Sequence, residues 1–205
     1  MILKTFVVSP FATNCYLLGC EESGTAAIID PGDQGDLLLG ALRKVGLTLE
    51  SVLLTHGHID HVGAVGTLLE STGARVYLHH DEAQMLETLE LQARLFSLPP
   101  PDPVPVHVWL GDGDQLLVGS ITLRVLHTPG HTPGSVCFHH EGILFSGDTL
   151  FRESVGRTDL PGGSHRSLIS SIRDKILTLP DEVQVLPGHG EATTIGDERC
   201  LNPFL

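Results

Sequence analysis

Four short apolar runs in this chain each end in a turn-forming stretch that carries His or Asp, and that recurrence constrains the fold more than any other feature. Val52-Leu53-Leu54 leads into Thr55-His56-Gly57-His58-Ile59-Asp60-His61. Leu123-Arg124-Val125-Leu126 leads into His127-Thr128-Pro129-Gly130-His131-Thr132-Pro133-Gly134. Ile143-Leu144-Phe145 leads into Ser146-Gly147-Asp148-Thr149, and Val183-Gln184-Val185-Leu186 into Pro187-Gly188-His189-Gly190. Apolar runs of this length bounded by turn signals read as buried strands. Gly and Pro beside each His or Asp fix a tight turn and let backbone approach closely. The loops at the C-terminal ends of such strands are where open α/β sheets place their ligands.

The first of these loops is the densest. His is the commonest metal ligand, and Asp adds charge and an oxygen donor. His56, His58, Asp60 and His61 offer more donors than one metal easily takes from one short loop, which implies two metals sharing it. The remaining ligands must come from the other strand ends.

Along the chain, the first part is strand-rich, with candidates at 3–8, 15–19 and 25–29. Apolar positions 37, 38, 41, 42 and 45 give 36–45 one helical face. After the strand at 51–54, positions 62, 65, 68 and 69 predict a helix over 60–72 that stops at Gly73, with Asp60 at its favourable N-terminal end. A strand at 75–78 and a helix at 81–96 follow. The Pro-rich stretch 99–105 must be a surface loop. Further strands are expected at 106–110, 115–118, 121–126, 136–139 and 143–146, then a helix at 167–179, a strand at 183–186 and a terminal helix at 195–200. Each half runs strands first and then a helix-bearing segment. This element order predicts one α/β domain over 1–205, with two sheets face to face and helices outside. No sequence repeat accompanies the apparent duplication.

Composition narrows the function classes. Hydrophobic content of 41% and charged content of 18% describe an ordinary globular protein. A formal net charge of −13 argues against nucleic acid, which needs clustered Lys and Arg. No apolar run reaches the roughly 20 residues that span a membrane, and Met1 to Val8 lacks the features of a signal peptide. Cys15, Cys20, Cys137 and Cys200 form no C-x-x-C pair, so they are expected to be reduced, mostly buried thiols of a cytoplasmic protein.

The motifs T-H-x-H-x-D-H, P-G-H-T-P-G-S, G-D-T and P-G-H-G, in that order, resemble the metallo-β-lactamase superfamily from about Ile28 onward. Gly147-Asp148-Thr149-Leu150-Phe151 and Gly156-Arg157-Thr158-Asp159-Leu160 are similar to its glyoxalase II-like branch of thioester hydrolases, as is the tail with Asn202-Pro203-Phe204. The resemblance implies a four-layer αββα sandwich with the metal site at one edge of the sheets. It assigns His56, His58 and His131 to one metal, Asp60, His61 and His189 to the other, and Asp148 to a bridge between them, with Asp60 and Asp148 also catalytic. The donor set suits two zinc ions, and the Asp-containing second site accepts iron or manganese as well. Metals about 3.5–4 Å apart hold a bridging hydroxide at neutral pH, so no Ser or Cys nucleophile is required. The expected substrate is a small thioester of the S-acylglutathione type, such as S-lactoylglutathione.

A second reading is a persulfide dioxygenase with one Fe(II) held by His56, His131 and Asp148. β-Lactam hydrolysis is disfavoured on the ground that class B β-lactamases usually place Cys where Asp148 stands. The chain ends soon after His189, so the helical domain that helps grip glutathione in full-length glyoxalase II is expected to be missing. Arg157 then becomes the candidate for a substrate carboxylate, with an ion pair to Asp159 as the competing role. Asp30 either orients a ligand His or makes a turn at a strand end. His127 either supports a ligand from behind or, as expected, is structural, His79 and His80 are expected to be capping or surface residues, and His139 to Gly142 a hairpin turn.

Overall fold

The computed structural model describes residues 1–205. The first half builds β1 (Ile2–Val8), β2 (Thr13–Cys20), β3 (Thr25–Ile29), α1 (Gly35–Val45) and β4 (Thr48–Leu53). It continues with α2 (Ile59–Val62), α3 (Val65–Thr72), β5 (Arg75–His79), a 3-10 turn at His80–Glu82, α4 (Ala83–Glu87), α5 (Leu89–Phe96) and β6 (Val108–Leu110). The second half supplies β7 (Gln115–Val118), β8 (Ile121–His127), β9 (Val136–His140), β10 (Ile143–Gly147), β11 (Leu150–Phe151) and β12 (Ser154–Val155). Then come α6 (His165–Ser171), a π-helical turn at Ile172–Ile176, β13 (Gln184–Pro187), β14 (Thr193–Thr194) and α7 (Ile195–Leu201).

Two six-stranded sheets result, ordered β1-β2-β3-β4-β5-β6 and β14-β13-β10-β9-β8-β7, with β11-β12 as a separate hairpin. Both begin as an antiparallel meander and then turn parallel, β3 with β4 in the first sheet and β10 with β13 in the second. The expected similarity of the halves is therefore present in topology.

Side-chain alternation explains the layering. Along β2, Cys15 and Leu17 point to one face while Tyr16 and Leu18 point to the other, the period-two pattern of a strand buried on both sides. Three apolar cores follow. One lies between the sheets and includes Ile29, Leu53, Leu123, Phe138 and Phe145. A second packs Leu17, Ile28 and Val52 against α1, α2, α3 and α5. The third packs Cys137, Leu144 and Val185 against α6, the π turn and α7 through Leu168, Ile172, Ile176 and Ile195. Three cores between four layers make the αββα sandwich.

Where the structure departs from periodicity, the cause is a competing hydrogen bond. The helix expected over 60–72 breaks at Gly63-Ala64, because Ala64 N–H donates to Pro31 O at 2.9 Å as the chain turns around that loop. The helix expected over 81–96 breaks at Thr88, whose hydroxyl donates to Met85 O at 2.7 Å. The helix expected over 167–179 starts earlier, at a cap from Ser164 Oγ to Ser167 N–H. It then widens into the π turn, with Leu177 N–H reaching Ile172 O at 2.8 Å. The two-residue strands β11, β12 and β14 are too short to show a period. Three cysteines are buried, Cys200 is exposed, and none is in a disulfide. No helix is long and apolar enough to cross a membrane.

Candidate metal centre

The ends of β4, β8, β10 and β13 meet at one edge of the two sheets. The two sheets are tied there: Asn14 N–H donates to Gly188 O at 2.7 Å, and Asn14 Nδ2 donates to Pro187 O at 2.9 Å. This seam brings together side chains that lie up to 133 positions apart, His56 to His189.

Donor atoms converge in three overlapping sets, each within 4.8 Å: His56, His58 and His131; Asp60, His61 and His189; and His56, His61 and Asp148. Asp148 stands between the first two. Its Oδ1 lies 3.5 Å from His61 Nε2, and its Oδ2 lies 3.6 Å from His131 Nε2 and 3.5 Å from His189 Nε2. All seven residues expected from the sequence are thus gathered at one place.

Most of the imidazoles are oriented from behind. His131 Nδ1 donates to Arg157 O at 2.8 Å and His189 Nδ1 to Phe11 O at 3.1 Å, leaving Nε2 of each turned into the cluster. Thr55 Oγ1 sits 3.1 Å from His56 Nδ1 and donates to Asp30 Oδ2 at 2.7 Å. Asp30 Oδ2 also lies 3.1 Å from His61 Nδ1, a charge contact rather than a well-aligned hydrogen bond. Of the two roles considered for it, the Asp30 side chain makes no local turn: it accepts the N–H of Thr55 at 2.8 Å, 25 residues on, and faces a ligand-set His. Gly188 lets β13 pass close beneath: a Cβ there would lie 2.2 Å from Asp148 Oδ1 and 2.9 Å from His61 Cε1.

The donor set fits a metal. His56 Nε2, both ring nitrogens of His61 and Asp148 Oδ1 are buried without a hydrogen-bond partner. Unpaired buried polar atoms cost roughly 1–3 kcal/mol each, and a cation among them would satisfy several together. Electrostatics divides the donors. Burial, reinforced by the neighbouring imidazoles, holds His56 well below the usual range and His58 down to about 3, so both stay neutral and free to coordinate. Burial also opposes charge on His61, but Asp60, Asp148 and Asp30 outweigh it and push His61 up to about 10. Asp60 is held below the carboxylate range against its burial, chiefly by His61 and by its hydrogen bond from His189. His189 is raised against burial by that same bond. Without metal, the second set keeps a proton that a cation would have to displace.

Arg157 has its guanidinium on Asp159, Nε to Oδ1 and Nη2 to Oδ2 both at 2.8 Å, so the ion pair is present. His79 caps the following turn by accepting Asp81 N–H at 3.2 Å, as expected, and His127 Nε2 donates to Pro133 O at 2.9 Å. His79, His80 and Asp81 also lie close together. Nδ1 of each ring is already engaged, however, that of His79 by Asp81 N–H at 3.2 Å and that of His80 with Leu110 O at 3.1 Å, and His80 and Asp81 are exposed. The sequence reading missed three supporting side chains. Thr55 lies inside the quoted motif, Thr13 donates to Asp60 Oδ2 at 3.1 Å, and Glu82 is fully buried behind the ligand loops. Only Thr55 carried a signal, its place at the end of β4.

The profile of a family described as the metallo-beta-lactamase superfamily matches residues 8–189. The hydroxyacylglutathione hydrolase GloC of Haemophilus influenzae is 41% identical, over 100% of this chain and 98% of that protein. Among solved structures, that of BLEG-1, described as a B3 metallo-beta-lactamase, is 42% identical at a TM-score of 0.93 and covers 100% of this chain and 99% of its own. TTHA1623 in a di-iron-bound form is 43% identical at a TM-score of 0.89, over 98% and 100%.

Proposed function

The chain belongs to the metallo-beta-lactamase superfamily, and we propose on that footing that it is a dinuclear metal-dependent hydrolase of small thioesters of the S-acylglutathione type. The observation that carries this reading is the pair of donor sets with Asp148 between them. His56, His58 and His131 would hold one ion, Asp60, His61 and His189 the other, and Asp148 both. When bound, such a pair supplies Lewis acidity at a carbonyl oxygen and a water acidic enough to be a nucleophile near neutral pH. Zinc is the proposed occupant of the all-His set. The likeness to a di-iron protein keeps iron, beside manganese, among the occupants of the second.

The chain's own residues do the rest. Asp60, held ionised, keeps a carboxylate facing the reaction space, and Thr13 fixes its orientation. The carbonyls of Arg157 and Phe11 hold His131 and His189 in the Nδ1–H tautomer. Hydrolysis adds water across the C–S bond and yields a carboxylic acid and a thiol. The thiol leaves as a thiolate, so no general acid is needed beyond the ligand set. Arg157 can take a substrate carboxylate only by exchanging it for Asp159, and its exposed position makes that exchange inexpensive.

Two other reactions define the test. The dioxygenase reading uses one iron on His56, His131 and Asp148. The likeness to BLEG-1 weakens the exclusion of β-lactams based on Asp148 and brings that substrate into the same comparison. The protein, purified without chelator, is analysed for metal and assayed with S-lactoylglutathione, with a glutathione persulfide under oxygen, and with a chromogenic β-lactam. Two metals per chain, thioester turnover as the dominant activity, and loss of that turnover in Asp60→Ala and His189→Ala are expected. One iron with oxygen uptake, unaffected by those substitutions, overturns the proposal, as does β-lactam turnover that exceeds thioester turnover.

A further inference from the structure

Behind the two loops that supply His56, His58 and His131 sits a carboxylate that the metal-centre reading does not use. Glu82 closes the 3-10 turn after β5 and is fully buried. Its Oε2 accepts Gly57 N–H at 2.8 Å and its Oε1 accepts Gly134 N–H at 2.7 Å. Gly57 lies between His56 and His58, and Gly134 lies three residues after His131. No basic side chain pairs with it. A buried carboxylate compensated only by two backbone N–H groups is costly for stability alone. Its geometry is specific: one rigid, planar group joins two loops from different halves of the fold. His58 Nδ1 and His131 Nε2, one from each loop, meet at 2.9 Å on the other side. The glycines permit the approach, since a Cβ on Gly134 would lie 2.7 Å from Glu82 Cγ and one on Gly57 3.2 Å from Oε2.

We infer that Glu82 is a positioning residue that sets the separation of the two loops, and thereby the metal affinity of the His56–His58–His131 set in particular. The inference rests on the metal-centre reading but not on the thioester substrate. Glu82→Gln keeps the size of the side chain, yet its amide nitrogen must face one of the two N–H groups, donor against donor. Gly134→Ala keeps the carboxylate and displaces it.

Both variants, and the wild type, are stripped of metal and titrated with Co(II) against a competing chelator, with the visible absorption of each site followed. Groups behind metal ligands typically contribute 10–100-fold in affinity, so both variants are expected to lose about that factor at the three-His set while the Asp60–His61–His189 set changes less than about twofold. Equal loss at both sets would mark a general structural role and overturn the inference, as would no loss at either. Amide exchange in the metal-free wild type tests the same claim without a variant. Gly57 and Gly134 N–H should be protected, and exchange at open-loop rates sinks it. Two-metal binding without thioester turnover would leave this inference standing and remove the substrate reading instead.

Discussion

Replacing Asp30 by Asn should cost the protein its second metal while leaving the fold intact. Asp30 is buried and holds φ at +51°, a left-handed conformation that Asn tolerates as well as Asp, so the exchange adds no backbone strain. Its Oδ1 accepts the Thr55 N–H at 2.8 Å, while Oδ2 accepts the Thr55 hydroxyl at 2.7 Å and faces His61 Nδ1 at 3.1 Å. An Asn that keeps its carbonyl on the Thr55 N–H must put its NH2 where Oδ2 was. The Thr55 hydroxyl can rotate and accept from it. His61 is fully buried, so a protonated Nδ1 would face that NH2 donor to donor, which favours the tautomer with its proton on Nε2, the atom turned toward Asp60 and Asp148. The flipped amide is no better, because its NH2 then opposes the Thr55 N–H. Losing one contact to a charged group costs about 1.5–3 kcal/mol, or roughly 10–100-fold in affinity. Removing one of the three anions that hold the His61 proton eases proton competition and offsets part of this, so at pH 7 the loss should lie nearer tenfold. Co(II) titration of the stripped protein, followed by absorbance and checked by bound metal per chain, reads the effect directly. Wild-type affinity at both sets in Asp30→Asn would refute the tautomer argument.

Two further outcomes follow from the same geometry. His61, at about 10, is protonated in the metal-free protein at neutral pH, whereas His56 and His58 are already neutral. Filling the Asp60–His61–His189 set must therefore expel at least one proton, and its apparent affinity should rise about tenfold per pH unit from pH 6.5 to 8.5. Calorimetry in buffers of different ionisation enthalpy counts that proton, and a pH-independent second site would contradict the assignment. In the core between the sheets, Phe138 is fully buried, so Phe138→Ala should lower unfolding stability by about 3–5 kcal/mol in a urea titration. A loss under about 1 kcal/mol would mean that the two sheets do not depend on that contact.

The sequence by itself determined where the candidate ligands lie and how the layers stack. Each candidate ligand follows an apolar run, and a strand buried on both faces must end where the sheet ends, so side chains just past several such ends gather at one edge. Successive apolar residues along β2, β9 and β10 likewise commit each of these strands to two cores. Only the tertiary structure decided what stands behind the ligands. His131 and His189 are oriented by the carbonyls of Arg157 and Phe11, and a backbone carbonyl is present at every residue, so side-chain identity cannot mark it. Glu82 sits in an acidic stretch beside Asp81 that reads as surface, and its burial depends on two loops from different halves closing over it. The helix breaks at Gly63 and Thr88 arise from hydrogen bonds that outcompete the helical ones, and the partner at Gly63 is the distant Pro31. The T-H-x-H-x-D-H loop could therefore be read as a metal site from residue type and spacing. Asp60 lies beside His61 in that loop, but Asp148, Asp30 and the carbonyls of Arg157 and Phe11, which complete the charges and tautomers of the site, are distant in sequence and are brought into contact by folding alone.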